Sequence, residues 1–74
     1  MEKFSDRLKE LRLERGLTQV ELANALNNYI SHQAIDFWER GVRDIKLSNA
    51  IKLAKFFDVS LDYLAGLSDE YKKY

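Results

Sequence analysis

The sequence predicts an all-α fold, a compact five-helix bundle. Three observations point to it. Apolar residues recur three and four apart with charged residues between them, as in Phe4, Leu8 and Leu11 or Leu47, Ala50, Ile51 and Ala54, which is the spacing of a helix face. No stretch alternates apolar and polar residues as a half-buried strand does. Proline is absent, and Gly16, Gly41 and Gly66 each fall where a helical pattern stops, the position that takes a left-handed residue.

The elements follow in order. Phe4, Leu8 and Leu11 form one face of a first helix, about residues 5–15, and Gly16 follows Arg15 as a stop. Thr18 caps a second helix that opens at Gln19 and runs to about Leu26, and Glu21, three residues on, completes a capping box. Ser31 caps a third helix, in which Ile35 and Trp38 share a face before Gly41 ends it. Leu47, Ala50, Ile51 and Ala54, with Phe57 a turn later, make the fourth helix the strongest amphipathic stretch. Ser60 caps a short last helix, Leu61 to Ala65, stopped by Gly66. Residues 1–67 thus form the domain, and 68–74, SDEYKKY, read as a charged and frayed tail.

Composition limits the function. Seventy-four residues make one small domain, which buries only roughly 60% of the surface its unfolded chain exposes. Hydrophobic residues at 46% and charged residues at 32% describe a chain that folds. Without cysteine there are no disulfides, thiol nucleophiles or thiolate zinc sites. The apolar runs are too short to span a bilayer and the first residues too charged for a signal peptide, so the expected compartment is the cytoplasm. The single histidine has no nucleophile or metal set around it, so neither an enzyme, a metal nor a cofactor is expected. Twelve basic and twelve acidic side chains cancel, unlike the basic balance common in nucleic-acid-binding domains.

The joint between the second and third helices carries the functional signal. A helix-turn-helix needs a small residue where its helices cross and a second helix with one apolar and one polar face. Ala23 supplies the first. At about 100° per residue, Ile35 and Trp38 fall together, while His32, Gln33 and Asp36, flanked by Phe37 and Arg40, fall opposite, where base edges would lie.

TQVELANAL, SHQAIDFWERG and KLAKFFDVSLDYLAG, in that order and spacing, resemble the DNA-binding domain of the lambda repressor-like helix-turn-helix proteins of the Cro/CI or XRE type. The resemblance covers about residues 5–67. It implies a five-helix bundle containing a helix-turn-helix, with the third helix in the major groove of a double-stranded DNA operator and a homodimer on a roughly palindromic site. It also implies that His32, Gln33, Asp36 and Phe37 face bases, that Gln19 sits by a phosphate, and that Arg12 pairs with Glu39.

Each role has a plainer rival. Gln33 either pairs with adenine, as its amide is shaped to do, or is a solvated surface residue. His32 contacts a guanine or a phosphate, or is a solvated neighbour of the cap. Asp36 is repelled by phosphates unless it accepts from a cytosine amine or, the preferred reading, positions His32 or Arg40. Phe37 touches a thymine methyl or packs on the turn. Arg40, Arg43 and Lys46 surround the turn after Gly41 and are the candidate phosphate contacts, against a solvated loop. Ile35 and Trp38 read as core, and Arg12 with Glu39 as a structural pair.

One departure from the family pattern concerns the turn. The family's short, glycine-containing connection is replaced here by Asn27, Asn28, Tyr29 and Ile30, about two residues longer. Asparagine tolerates left-handed backbone, so Asn27 or Asn28 stands in for the glycine and Ile30 for the apolar residue. Tyr29 at the tip either meets a phosphate through its hydroxyl or covers the core. Phe56, Tyr63 and Leu67 are the candidate dimer contacts, with a completed monomer core as the alternative. The expected function is a sequence-specific DNA-binding transcriptional regulator of phage or bacterial type, a repressor. Its rival is a protein-interaction module on the same fold, an antitoxin or anti-repressor partner.

Overall fold

The computed structural model describes residues 2–69, which form α1 (Glu2–Glu14), α2 (Gln19–Ala25), α3 (His32–Glu39), α4 (Leu47–Phe57) and α5 (Leu61–Ala65), with no strand among them. The boundaries follow from the caps. The Thr18 hydroxyl accepts from the Glu21 N–H at 3.0 Å, and the Glu21 carboxylate accepts from the Thr18 N–H at 2.9 Å, the reciprocal box that starts α2. Ser31 and Ser60 accept in the same way from Ala34 and Tyr63, fixing the starts of α3 and α5.

Gly16, Gly41 and Gly66 all take positive φ at helix ends. Gly66 has a second constraint, because a side chain there would bring its Cβ to 2.4 Å from the Lys3 Cβ. α4 stops without glycine, at Asp58 with φ 57°, a left-handed residue whose short polar side chain tolerates that backbone.

α1 packs against α3 and α5, α2 against α3, and α4 against α5. The core joins Leu8, Leu22, Ile35, Leu53 and Leu64, all fully buried, with Phe4, Leu11, Trp38, Phe57 and Tyr63 around them. Within α4 the sequence expectation needs a correction. Leu47 and Ile51 are 65% and 38% exposed, and the inward stripe is Ala50, Leu53, Ala54 and Phe57. Both sets have helical spacing, and the second is chosen because it puts Leu53 and Phe57 into the bundle.

Two further differences lie at the ends. α1 begins at Glu2, before the expected start, with Phe4 buried in its first turn. Ser68 and Asp69 are held by Arg7, whose guanidinium donates to the Tyr63 carbonyl at 2.7 Å, to the Ser68 carbonyl, and to Asp69 Oδ1 at 2.6 Å. The rest of the expected tail, 70–74, lies outside the described residues. Among the described residues no helix is long and apolar enough to cross a membrane.

Candidate nucleic-acid interface

The interface is built on α3, and its position is set from within. Ile35 is fully buried and Trp38 is 5% exposed, so this side of the helix is sealed into the core. His32 and Gln33 lie exposed on the other side, with Asp36 and Phe37 half-buried one turn on and Arg40 exposed at the C-terminal end. The rows 32, 36, 40 and 33, 37 are i, i+4 neighbours, so the five side chains form one continuous strip.

Below the strip, Arg12 and Glu39 lock α3 to α1. The Arg12 Nε and Nη2 donate to the two Glu39 carboxylate oxygens at 2.7 and 2.8 Å, and Nη1 donates to the Leu17 carbonyl at 2.8 Å. Both side chains are nearly buried, at 10% and 4% exposure. The hydrogen bonds that Arg12 donates to Glu39 raise its pKa above the ordinary value, against the opposing effect of burial. Paired in this way, neither ion contributes a free charge to the surface.

The side-chain amide of Gln19 donates to Asp36 Oδ1 and to Glu39 Oε1, both at 3.3 Å. It therefore joins the start of α2 to the middle of α3 rather than pointing outward. Asp36 also accepts from Arg40, at 2.9 Å through Nε and 2.9 Å through Nη2. Both of its oxygens are engaged, and its contact with His32 or Arg40 resolves in favour of Arg40. The guanidiniums of Arg40 and Arg43 stand 5.3 and 4.8 Å from the Phe37 ring centroid. Phe37 is thus a platform for two cations; contact through the ring face leaves the Arg43 N–H groups available to anions, while Arg40 is also held at Nε and Nη2 by Asp36.

An open recess of about 260 Å³ runs beside the strip, lined by Gln33, Phe37 and Trp38 of α3 and by Arg43, Lys46 and Asn49 across from them. Arg43 and Lys46 are exposed, so the recess has a basic outer wall, tempered by Asp44. Sequence reasoning passed over Asn49 and the Gln19 bridge, because a contact across elements leaves no periodic signature.

The turn before α3 uses both asparagines. Asn27 and Asn28 have φ of 57° and 60°, and the Asn28 N–H donates to the Ala23 carbonyl at 2.9 Å. Ile30 fills the apolar position at 2% exposure, and Ala23 is buried at 3%. Tyr29 is 76% exposed, so it does not cover the core. Of the residues considered for a dimer contact, Tyr63 is buried at 7% under the Arg7 guanidinium, and Phe56 packs edge-on against Phe57 at 5.0 Å; both complete the monomer core, and Leu67 is 81% exposed.

A closed turn between two short helices, the second anchored by Ile35 and Trp38 and open on its polar side, defines a helix-turn-helix domain. The Helix-turn-helix family model matches residues 8–64, and the chain belongs to the XRE-type helix-turn-helix family. It is 40% identical over 67 residues to the HTH-type transcriptional regulator ImmR of Bacillus subtilis (strain 168), a match that covers 90% of this chain and 51% of that protein. It is 36% identical over 70 residues to the cryptic phage CTXphi transcriptional repressor RstR of Vibrio cholerae, covering 89% of this chain and 58% of that one. It is 38% identical over 61 residues to the HTH-type transcriptional activator BcrR of Enterococcus faecalis, covering 82% and 29%. The chain spans about half the length of the first two of these relatives. No solved structure matches it.

Proposed function

We propose that this chain is a sequence-specific binder of double-stranded DNA, a transcriptional regulator of phage or bacterial type acting in the cytoplasm, a repressor, with α3 in the major groove. The carrying observation is the division of α3, with Ile35 and Trp38 buried and His32 and Gln33 exposed on the opposite side, in a chain of the XRE-type family. Gln33 reads adenine through its bidentate amide, and His32 reaches a base edge or phosphate beside it. Asp36 holds Arg40 in place and Phe37 supports Arg40 and Arg43, while its ring edge is available to a thymine methyl.

Arg40, Arg43 and Lys46 take phosphates, the contacts that fix register without reading sequence. Gln19 reaches a phosphate through its backbone N–H, since its side-chain amide is directed at Asp36 and Glu39. Two copies bind a roughly palindromic operator, the arrangement that matches two-fold symmetric protein to two-fold symmetric site.

Selection from random duplexes tests the proposal. The expected motif has two half-sites about one helical turn apart. Gln33→Ala blurs one position in each half-site, and Arg43→Ala weakens all sequences alike. The reverse pattern would exchange readout and grip, and the absence of any enriched motif would refute sequence-specific binding.

A further inference from the structure

We infer that Tyr29 and Lys52 form a further grip on the DNA backbone, taking one phosphate at the lip of the groove beyond the N-terminal end of α3. The inference rests on the reading of α3 as the groove helix. Tyr29 stands two residues ahead of the Ser31 cap, and the residue is 76% exposed although the backbone on either side is fixed. Behind it, Asn27 and Asn28 hold left-handed backbone, and the Tyr29 N–H donates to the Leu26 carbonyl at 3.2 Å. Ahead of it, Ile30 is buried at 2%. Asparagine tolerates this left-handed backbone at both positions, and the pair fixes the direction in which the chain leaves α2. Here the turn holds a large aromatic ring out of the core.

The Lys52 ammonium lies 5.5 Å from the centroid of that ring. A cation–π contact of this kind places both groups while leaving the ammonium N–H groups and the phenol O–H free to donate. The adjoining recess, about 460 Å³, is lined by Leu26, Tyr29, Lys52, Lys55 and Phe56 with Ala25 and Asn27, so that among the described residues its charged lining is two lysines and no carboxylate. That field favours an anion. A recognition helix meets base edges with its N-terminal residues, which brings the segment just ahead of its cap to the edge of the groove, where phosphates run. A hydroxyl and an ammonium at that edge are donors suited to a phosphate oxygen, and they carry no base-reading pattern.

The test uses the full chain and a selected duplex, with affinity measured over a range of salt for the wild type, Tyr29→Phe, Lys52→Gln and Arg43→Gln. A second set of duplexes carries a single neutral methylphosphonate at each phosphate flanking the motif. Lys52→Gln is expected to bind about fivefold more weakly at low salt, with a log–log salt slope shallower by about 0.9. Tyr29→Phe, which keeps the ring under Lys52, is expected to lose about threefold with the slope unchanged. One flanking methylphosphonate is expected to weaken the wild type clearly more than Lys52→Gln, a coupling that a purely structural role for Lys52 would not produce. If Arg43→Gln weakens binding while Lys52→Gln and Tyr29→Phe match the wild type, this grip is refuted and the reading of α3 stands, leaving the recess as a surface for a protein segment. If the wild type binds no duplex, both fall together.

Discussion

Arg12 is a buried cation beneath the polar face of α3, and Glu39 meets it with two parallel hydrogen bonds. Removing one member leaves the other charged and out of water, which is far more costly than removing both. Glu39→Ala is therefore expected to destabilise the fold by about 3–5 kcal/mol, read as a shift in the urea midpoint; a loss below about 1 kcal/mol would mean that Arg12 escapes to solvent in the variant. The pH dependence follows from the direction of the Arg12 shift. Its pKa is raised on folding, so its contribution is complete below the unfolded value and is lost only as pH rises through the folded one, both strongly alkaline. Across the neutral range this contribution is constant. At this scale the sequence was informative where a residue type carries its own geometry, as with Thr18, Ser31 and Ser60 at helix starts. The Arg12–Glu39 pair came from resemblance, since no local spacing links residues 27 apart. The hold of Arg7 on Ser68 and Asp69 and the Gln19 bridge had no such support and were not legible.

Between elements, the turn from α2 to α3 decides how the exposed face of α3 is presented. Asn28 sits at φ 60° with its N–H on the Ala23 carbonyl, so its backbone both closes α2 and starts the reversal. Glycine takes this conformation without steric cost, asparagine with little, and alanine with a penalty of about 1 kcal/mol. Asn28→Gly is expected to fall within about 0.5 kcal/mol of the wild type and Asn28→Ala to lose about 1 kcal/mol, both measured by chemical denaturation; equal stability of the two variants would show that left-handed backbone is not what Asn28 provides. Element identities were readable because caps and glycine stops are local chemistry. The register of α4 was not. Its sequence offers Leu47 and Ile51 on one stripe and Leu53 and Phe57 on another, and only the position of α4 relative to the other helices selects the second.

In the molecule as a whole, α1 bears on both α3 and α5, so the helix that carries the polar strip rests on the same scaffold as the C-terminal end. Formal neutrality is compatible with a nucleic-acid interface because of where the charges are spent. Glu39 is consumed by Arg12, and Asp36 by Arg40 and Gln19, while Arg43 and Lys46 remain exposed beside α3. The resulting field is local and small, and the expected salt dependence is that of few phosphate contacts, roughly 0.9 in slope for each.

Titration of isotope-labelled protein with a selected duplex, followed by amide and side-chain NMR signals, tests most directly whether α3 offers its outer side to DNA. The prediction is large shifts at His32, Gln33, Phe37, Arg40, Arg43 and Lys46, with the buried Leu53 and Leu64 and the far surface of α1 around Lys9 and Leu13 unmoved. Shifts confined to α1, with the strip of α3 silent at saturating duplex, would contradict it.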